Sequence, residues 1–133
     1  MKKRFSLFLP LTMVLFLAAP MVAGDLATKG KAWLDPHTQP ATINVNGEWH
    51  ETEWGLVVLN QAQGSRDVTG RGDGWDITGV VSGNQVFLLF THKDKVNYSA
   101  TLTSDGDKSL KGSYSRGFMG EKTKTRPMHL IKP

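Results

Sequence analysis

Residues 67–92 read DVTGRGDGWDITGVVSGNQVFLLFTH, and the fold is decided there. Two turn signals, Gly72-Asp73-Gly74 and Ser82-Gly83-Asn84, cut the stretch into three short runs. Asp-Gly and Gly-Asn pairs supply the positive φ angles that tight hairpins need. In the middle run, Trp75, Ile77, Gly79 and Val81 fall on one face, with Asp76 and Thr78 on the other. That period of two is a strand period, and no helical period competes with it.

The same punctuation continues outward. Gln63-Gly64-Ser65, Lys93-Asp94-Lys95 and Ser104-Asp105-Gly106-Asp107 add further turns, spaced in most cases about ten residues apart. The pattern predicts eight strands, near 46–53, 55–62, 65–71, 75–81, 85–92, 95–103, 108–115 and 125–131. Short connections make sequence neighbours pair as hairpins, and regular short strands point to a sandwich or barrel. Closing the ring removes both exposed edges. The expected fold is therefore all-β: an eight-stranded antiparallel up-and-down meander β-barrel with an irregular N-terminal arm. Val68-Thr69-Gly70, Ile77-Thr78-Gly79 and Leu110-Lys111-Gly112 repeat an aliphatic–polar–glycine step. Glycine inside a strand marks a bend or a close backbone approach, which helps small strands coil.

Facing assignments follow from alternation. Trp75, Ile77, Gly79 and Val81 are placed inside, with Tyr98, Ala100 and Leu102, and with Leu110, Gly112 and Tyr114. Val86-Phe87-Leu88-Leu89-Phe90 and Leu56-Val57-Val58-Leu59 are apolar on both faces. Strands of that kind are covered on both sides. Either the arm covers them, through Trp33 and Leu34, or a second subunit does.

The first residues set the compartment. Lys2, Lys3 and Arg4 precede an apolar run from Phe5 to Ala19, and Val22-Ala23-Gly24 offers small residues for cleavage. This is the layout of a secretory signal peptide, cleaved after Ala23 or Gly24. The run is short for a bilayer, which needs roughly 20 residues, so no membrane span is expected after cleavage. Expected localisation is periplasmic or extracellular. The divisions are 1–24 signal peptide, 25–45 arm and 46–133 barrel.

Charge and composition then exclude partners. The whole chain carries +4, but losing Lys2, Lys3 and Arg4 takes the basic count from 16 to 13 against 12 acids. A balance near +1 lacks the basic footprint of a nucleic-acid binder. With no cysteine, disulfides, thiolate zinc sites and a lipid-modified N-terminus are excluded. The small exported domain relies on its hydrophobic core.

Gly47-Glu48-Trp49 opens the first strand. A Gly-x-Trp start followed by an eight-strand meander resembles the calycin superfamily of lipocalins, fatty-acid-binding proteins and avidins. The avidins are the nearest in proportion, and Trp54-Gly55, Val68-Thr69-Gly70 and Trp75 echo their layout. The resemblance implies that Trp49 plugs one barrel end and that a basic residue of the last strand, Arg126, packs over it. It covers about residues 46–131. The polar run with which avidins hold biotin has no counterpart here, so the likeness speaks for fold more than for biotin.

Chemistry is sparse. His50 and Thr52 face opposite to Glu51 and Glu53 on a strand, which denies convergence on a metal or an acid–base pair. The histidines, at 37, 50, 92 and 129, show no ligand spacing. Arg71-Gly72-Asp73 spells an adhesion tripeptide, yet hairpin chemistry alone explains it. Gly70, Gly72 and Gly74 lack the helix that a phosphate loop needs. No catalytic residue, metal site or cofactor is expected.

What remains is aromatic. Trp75, Phe87, Tyr98 and Tyr114 either line a ligand cavity or fill the core. Arg116-Gly117-Phe118-Met119-Gly120 puts an apolar pair on the one long connection. Phe118 and Met119 either cover the barrel mouth as a lid or dock on the wall. The expected function is an exported, non-enzymatic binding protein for a small hydrophobic or aromatic ligand, held by Trp75, Phe87, Tyr98, Tyr114, Phe118 and Met119. The alternative is a protein-interaction module, such as a protease inhibitor whose arm enters the enzyme's cleft. A homo-oligomer is a possible partner state.

Overall fold

The eight runs do become strands, and each is hydrogen-bonded to its sequence neighbour. The computed structural model of this chain describes residues 24–119 and 124–133. The signal peptide expected at 1–24 lies outside the described residues save for Gly24. The strands are β1 (Gly47–Glu51), β2 (Gly55–Asn60), β3 (Asp67–Gly72), β4 (Trp75–Ser82), β5 (Gln85–His92), β6 (Lys95–Ser104), β7 (Ser109–Arg116) and β8 (Thr125–Ile131). All pair antiparallel and close into a barrel. The seam is narrow: β1 meets β8 through the single register pair His50–Ile131.

The inward sets are those the alternation marks. Ile77, Val81, Ala100, Leu102, Leu110 and Tyr114 belong to one buried cluster, with Trp75 and Tyr98 packed against it. The repeated glycines lie where neighbouring strands come closest. A Cβ at Gly70, Gly79 or Gly112 would run into the carbonyl oxygen of Val58, Phe87 or Thr101 respectively. Only glycine lets these strands wind so tightly.

The interior is filled, not hollow. Trp49, Leu59, Leu88, Phe90, Leu102, Met128 and Leu130 are all at most 2% exposed and form one continuous cluster. Apolar burial on this scale stabilises by about 1.5–3 kcal/mol per large side chain.

Each end of the barrel has its own character. At one end the Trp49 indole N–H donates to the Val45 carbonyl at 2.9 Å. Residues 39–46 cross this end. Thr42 N–H donates to the Gly83 carbonyl, Gly83 N–H to that of Pro40, and Val45 N–H to Gln61 Oε1. The buried Gln61 also donates from Nε2 to Ile43 and Ser65 carbonyls. Its polar atoms are thereby satisfied, as burial requires. Trp49 is the plug of this end, but its cation is not Arg126. Lys132 Nζ stands 5.1 Å from the Trp49 ring centroid, while Arg126 pairs with Tyr114 toward the other end. Lys132 lies beyond β8, at the level of Trp49; Arg126 enters the strand at its far start.

The arm is less irregular than its polar composition suggests. A π-helical turn, Leu26–Gly30, runs into an α-helical turn, Lys31–Leu34. Leu26, Gly30 and Leu34 recur every fourth residue and share the face turned to the wall, where Gly30 packs on Leu89. Leu34 joins Phe87, Leu89 and Val96 in a second cluster, with Leu26, Trp33 and Phe118 against it. The arm therefore covers the outer face of β5. The arm expected at residues 25–45 is thus packed on the barrel through Leu26, Trp33 and Leu34. The outer face of β2 differs: Leu56 remains 43% exposed.

Candidate functional site

Four neighbouring inward stripes end in an aromatic residue at the barrel end opposite Trp49. β4 ends in Trp75, β5 in Phe90, β6 in Tyr98 and β7 in Tyr114. The β1–β2 turn adds Trp54. Trp54 lies at the centre, with ring centroids 4.6 Å from Phe90, 5.1 Å from Tyr98, 5.2 Å from Tyr114 and 6.2 Å from Trp75. Its contacts with Tyr98 and Tyr114 are nearly perpendicular, at 88° and 87°. Trp75 meets Tyr98 at 5.4 Å and 90°. Edge-to-face pairs suit the ring quadrupoles and contribute about 0.5–1.5 kcal/mol each beyond burial. Trp54, Trp75 and Tyr98 stay half-exposed, so the aromatic layer is also a surface.

Local chemistry holds this layer in place. Glu51 Oε1 accepts the N–H groups of Glu53 (2.6 Å) and Trp54 (3.0 Å), which fixes the turn carrying Trp54. A bulge parts the two faces at the start of β6. The register between β5 and β6 shifts after Phe90, so Val96 faces the arm while Tyr98 faces the interior. Bulges re-aim side chains in this way. The Tyr114 hydroxyl donates to Glu53 Oε1 at 3.2 Å. Burial pushes the Tyr114 pKa up, and the charge and hydrogen bond of Glu53 push it the same way. Tyr114 is thus held as a neutral donor.

Beyond the aromatic rim the inner stripes turn cationic. β7 continues from Tyr114 to Arg116. The β8 stripe, read backwards, runs Leu130, Met128, Arg126, and then Lys124. These cations, with Tyr98, Tyr114 and Ser115, line an open cleft of about 460 Å³. The Arg116 guanidinium carbon lies 6.0 Å from the Tyr98 ring centroid. It also borders a second cleft of about 320 Å³, lined by Trp75, Lys95, Val96, Asn97, Tyr98 and Gly117.

Three of the six expected ligand contacts come together here: Trp75, Tyr98 and Tyr114. The other three do not. Phe87 points outward, because alternation along Val86–Phe90 puts Val86, Leu88 and Phe90 inside. Its ring stacks on His37 at 3.5 Å and 11°. Phe118 packs on the outer wall with the arm. Met119 N–H donates to Ser99 Oγ at 2.6 Å, and its carbonyl accepts the Trp33 indole N–H at 3.1 Å. This part of the connection is docked on the wall and does not cover the mouth; residues 120–123 lie outside the described residues.

Sequence reading missed Trp54 and Phe90 as members of the layer. Trp54 carried a signal: a tryptophan between a polar turn and a glycine has no strand partner and must fold over something. The Arg71-Gly72-Asp73 tripeptide forms the β3–β4 hairpin, with Gly74 at φ +85°.

No family model matches the chain. No curated protein matches it either, and neither does any solved structure.

Proposed function

We propose that this chain is an exported, non-enzymatic binding protein whose open barrel end takes a small aromatic ligand. The observation that carries the reading is the half-exposed layer of Trp54, Trp75 and Tyr98 beside an open cleft of about 460 Å³. Partly exposed aromatic rings next to a concavity with a few convergent polar groups are what small-ligand sites require. Because the interior is packed, the ligand of this reading sits on the rim and not deep inside as in a hollow barrel. Export rests on the layout of residues 1–24. The calycin-like reading, with avidins nearest, rests on Gly47-Glu48-Trp49 and the closed meander, and supports binding in place of turnover.

Intrinsic tryptophan fluorescence tests this. Titration with a panel of small aromatic compounds is expected to quench or shift emission saturably, since Trp54 and Trp75 lie in the site. The same titration of a Trp54→Phe, Trp75→Phe variant should lose the response while Trp33 and Trp49 still fluoresce. Emission that stays unchanged across the panel would overturn the proposal.

A further inference from the structure

We infer that the mouth selects aromatic ligands bearing a negative charge. This narrows the substrate class of the binding reading above and rests on it.

The inference starts from strand geometry. On β7 and β8 the residues that follow the aromatic layer on the inward face are Arg116, Arg126 and Lys124. Strand alternation thus delivers three cations to the rim of one cleft, which they share with Tyr98 and Tyr114. Among the described residues no carboxylate lines that cleft. Glu53 is engaged by the Tyr114 hydroxyl and, with Glu51, lines an adjoining cleft that Arg126 also borders. None of the three cations forms a salt bridge among the described residues, where the ion pairs are Lys31–Asp35 and Lys111–Asp105.

Guanidinium groups match planar anions such as a carboxylate, and such charge-assisted bonds are about twice as strong as neutral ones. The Tyr98 and Tyr114 rings give the ligand's apolar body its surface. One end of the ligand is therefore aromatic and the other anionic.

Three probes separate the parts: phenylacetate, benzyl alcohol and acetate. Each is titrated into the isotopically labelled full mature chain by NMR. The Trp54 and Trp75 indole signals report on the ring, and the Arg116 and Arg126 side-chain signals on the charge. Phenylacetate is expected to bind about tenfold more tightly than benzyl alcohol, with the advantage shrinking as salt rises. Arg116→Met with Arg126→Met keeps the apolar stems and should bring the two aromatic probes level.

Equal affinity for benzyl alcohol and phenylacetate in the unmodified protein would overturn the charge inference and leave the aromatic reading standing. Acetate binding as tightly as phenylacetate would also overturn it, by reducing the site to a bare anion contact. Silence from all three probes would remove both readings. Unchanged indole signals in the free variants establish that they fold, so a loss of selectivity is not a loss of structure.

Discussion

Lys132 Nζ lies 5.1 Å from the centroid of the Trp49 ring and donates to the Asn46 carbonyl at 2.9 Å. The ammonium thus ties the end of the chain to the plug and to the residue before β1. This seam needs such help, because β1 and β8 share one register pair. Lys132→Met should lower stability by about 0.5–1 kcal/mol, the range of an exposed cation–π contact. Arg126→Met, at the far end of β8, should leave stability within about 0.5 kcal/mol. Urea unfolding of both variants checks the contrast, and equal losses would contradict it.

The coiling glycines make a steeper prediction. A Cβ at Gly112 would meet the Thr101 carbonyl and stand 2.8 Å from Leu102 Cα, both of them backbone. Backbone cannot step aside as a side-chain tip can. Gly112→Ala should cost at least about 1–3 kcal/mol, the usual cost of overpacking. Gly64 is the control: φ is +81° and nothing lies within 4 Å, so alanine there meets only backbone strain. Gly64→Ala should cost about 1–2 kcal/mol. Thermal unfolding of the pair should rank Gly112→Ala as the worse.

Turn chemistry made most of the fold legible. Gly-Asn and the Asp-Gly pairs fix the chain reversals locally, so β5 and β8 have the expected bounds and other strands differ by a few residues. β1 is shortened the most. Thr52 and Glu53 look like strand residues, but Glu51 captures the next N–H groups and bends the chain early. Faces were harder. In Val86–Phe90 every residue is apolar, so sequence alone cannot say whether Phe87 or Phe90 points inward. The arm's helix was missed because nine residues give too few turns for a period to stand out. The cation over Trp49 was misassigned because β8 and the residues after it offer two candidates, and only register separates them.

The arm's docking should respond to pH. His37 stacks on Phe87 and sits edge-on to Trp33 at 6.0 Å. Burial lowers its pKa from 6.5. Arg66, which donates to the His37 carbonyl, is the charged group nearest in the bonding pattern. Above pH 6.5 His37 is neutral in both folded and unfolded chains. As pH falls below that value the unfolded chain binds the proton first, so stability declines until the folded pKa is passed. Unfolding at about pH 7.5 and about pH 5.5 should show a larger drop for the natural chain than for His37→Asn. Equal drops would place the titration elsewhere.

Trp54 offers the most direct probe of the mouth. Its indole lies tilted over Phe90 at 4.6 Å and is walled by Tyr98, Tyr114 and Trp75. Removing it by Trp54→Ala leaves a slot with aromatic sides and a fully buried phenyl floor. Because Trp54 is half-exposed, the loss should fall at or below the low end of the 3–5 kcal/mol typical of buried tryptophan, so about 2–3 kcal/mol. Rigid apolar slots accept molecules of the deleted shape. Added indole should therefore raise the melting temperature of Trp54→Ala in a concentration-dependent way, by mass action on the folded state. The natural chain, whose slot is occupied by its own side chain, should gain less. A variant that loses stability and ignores indole would mean that Tyr98, Tyr114 and Trp75 had closed over the gap, so the rings would be mutually packed and not held apart by the barrel.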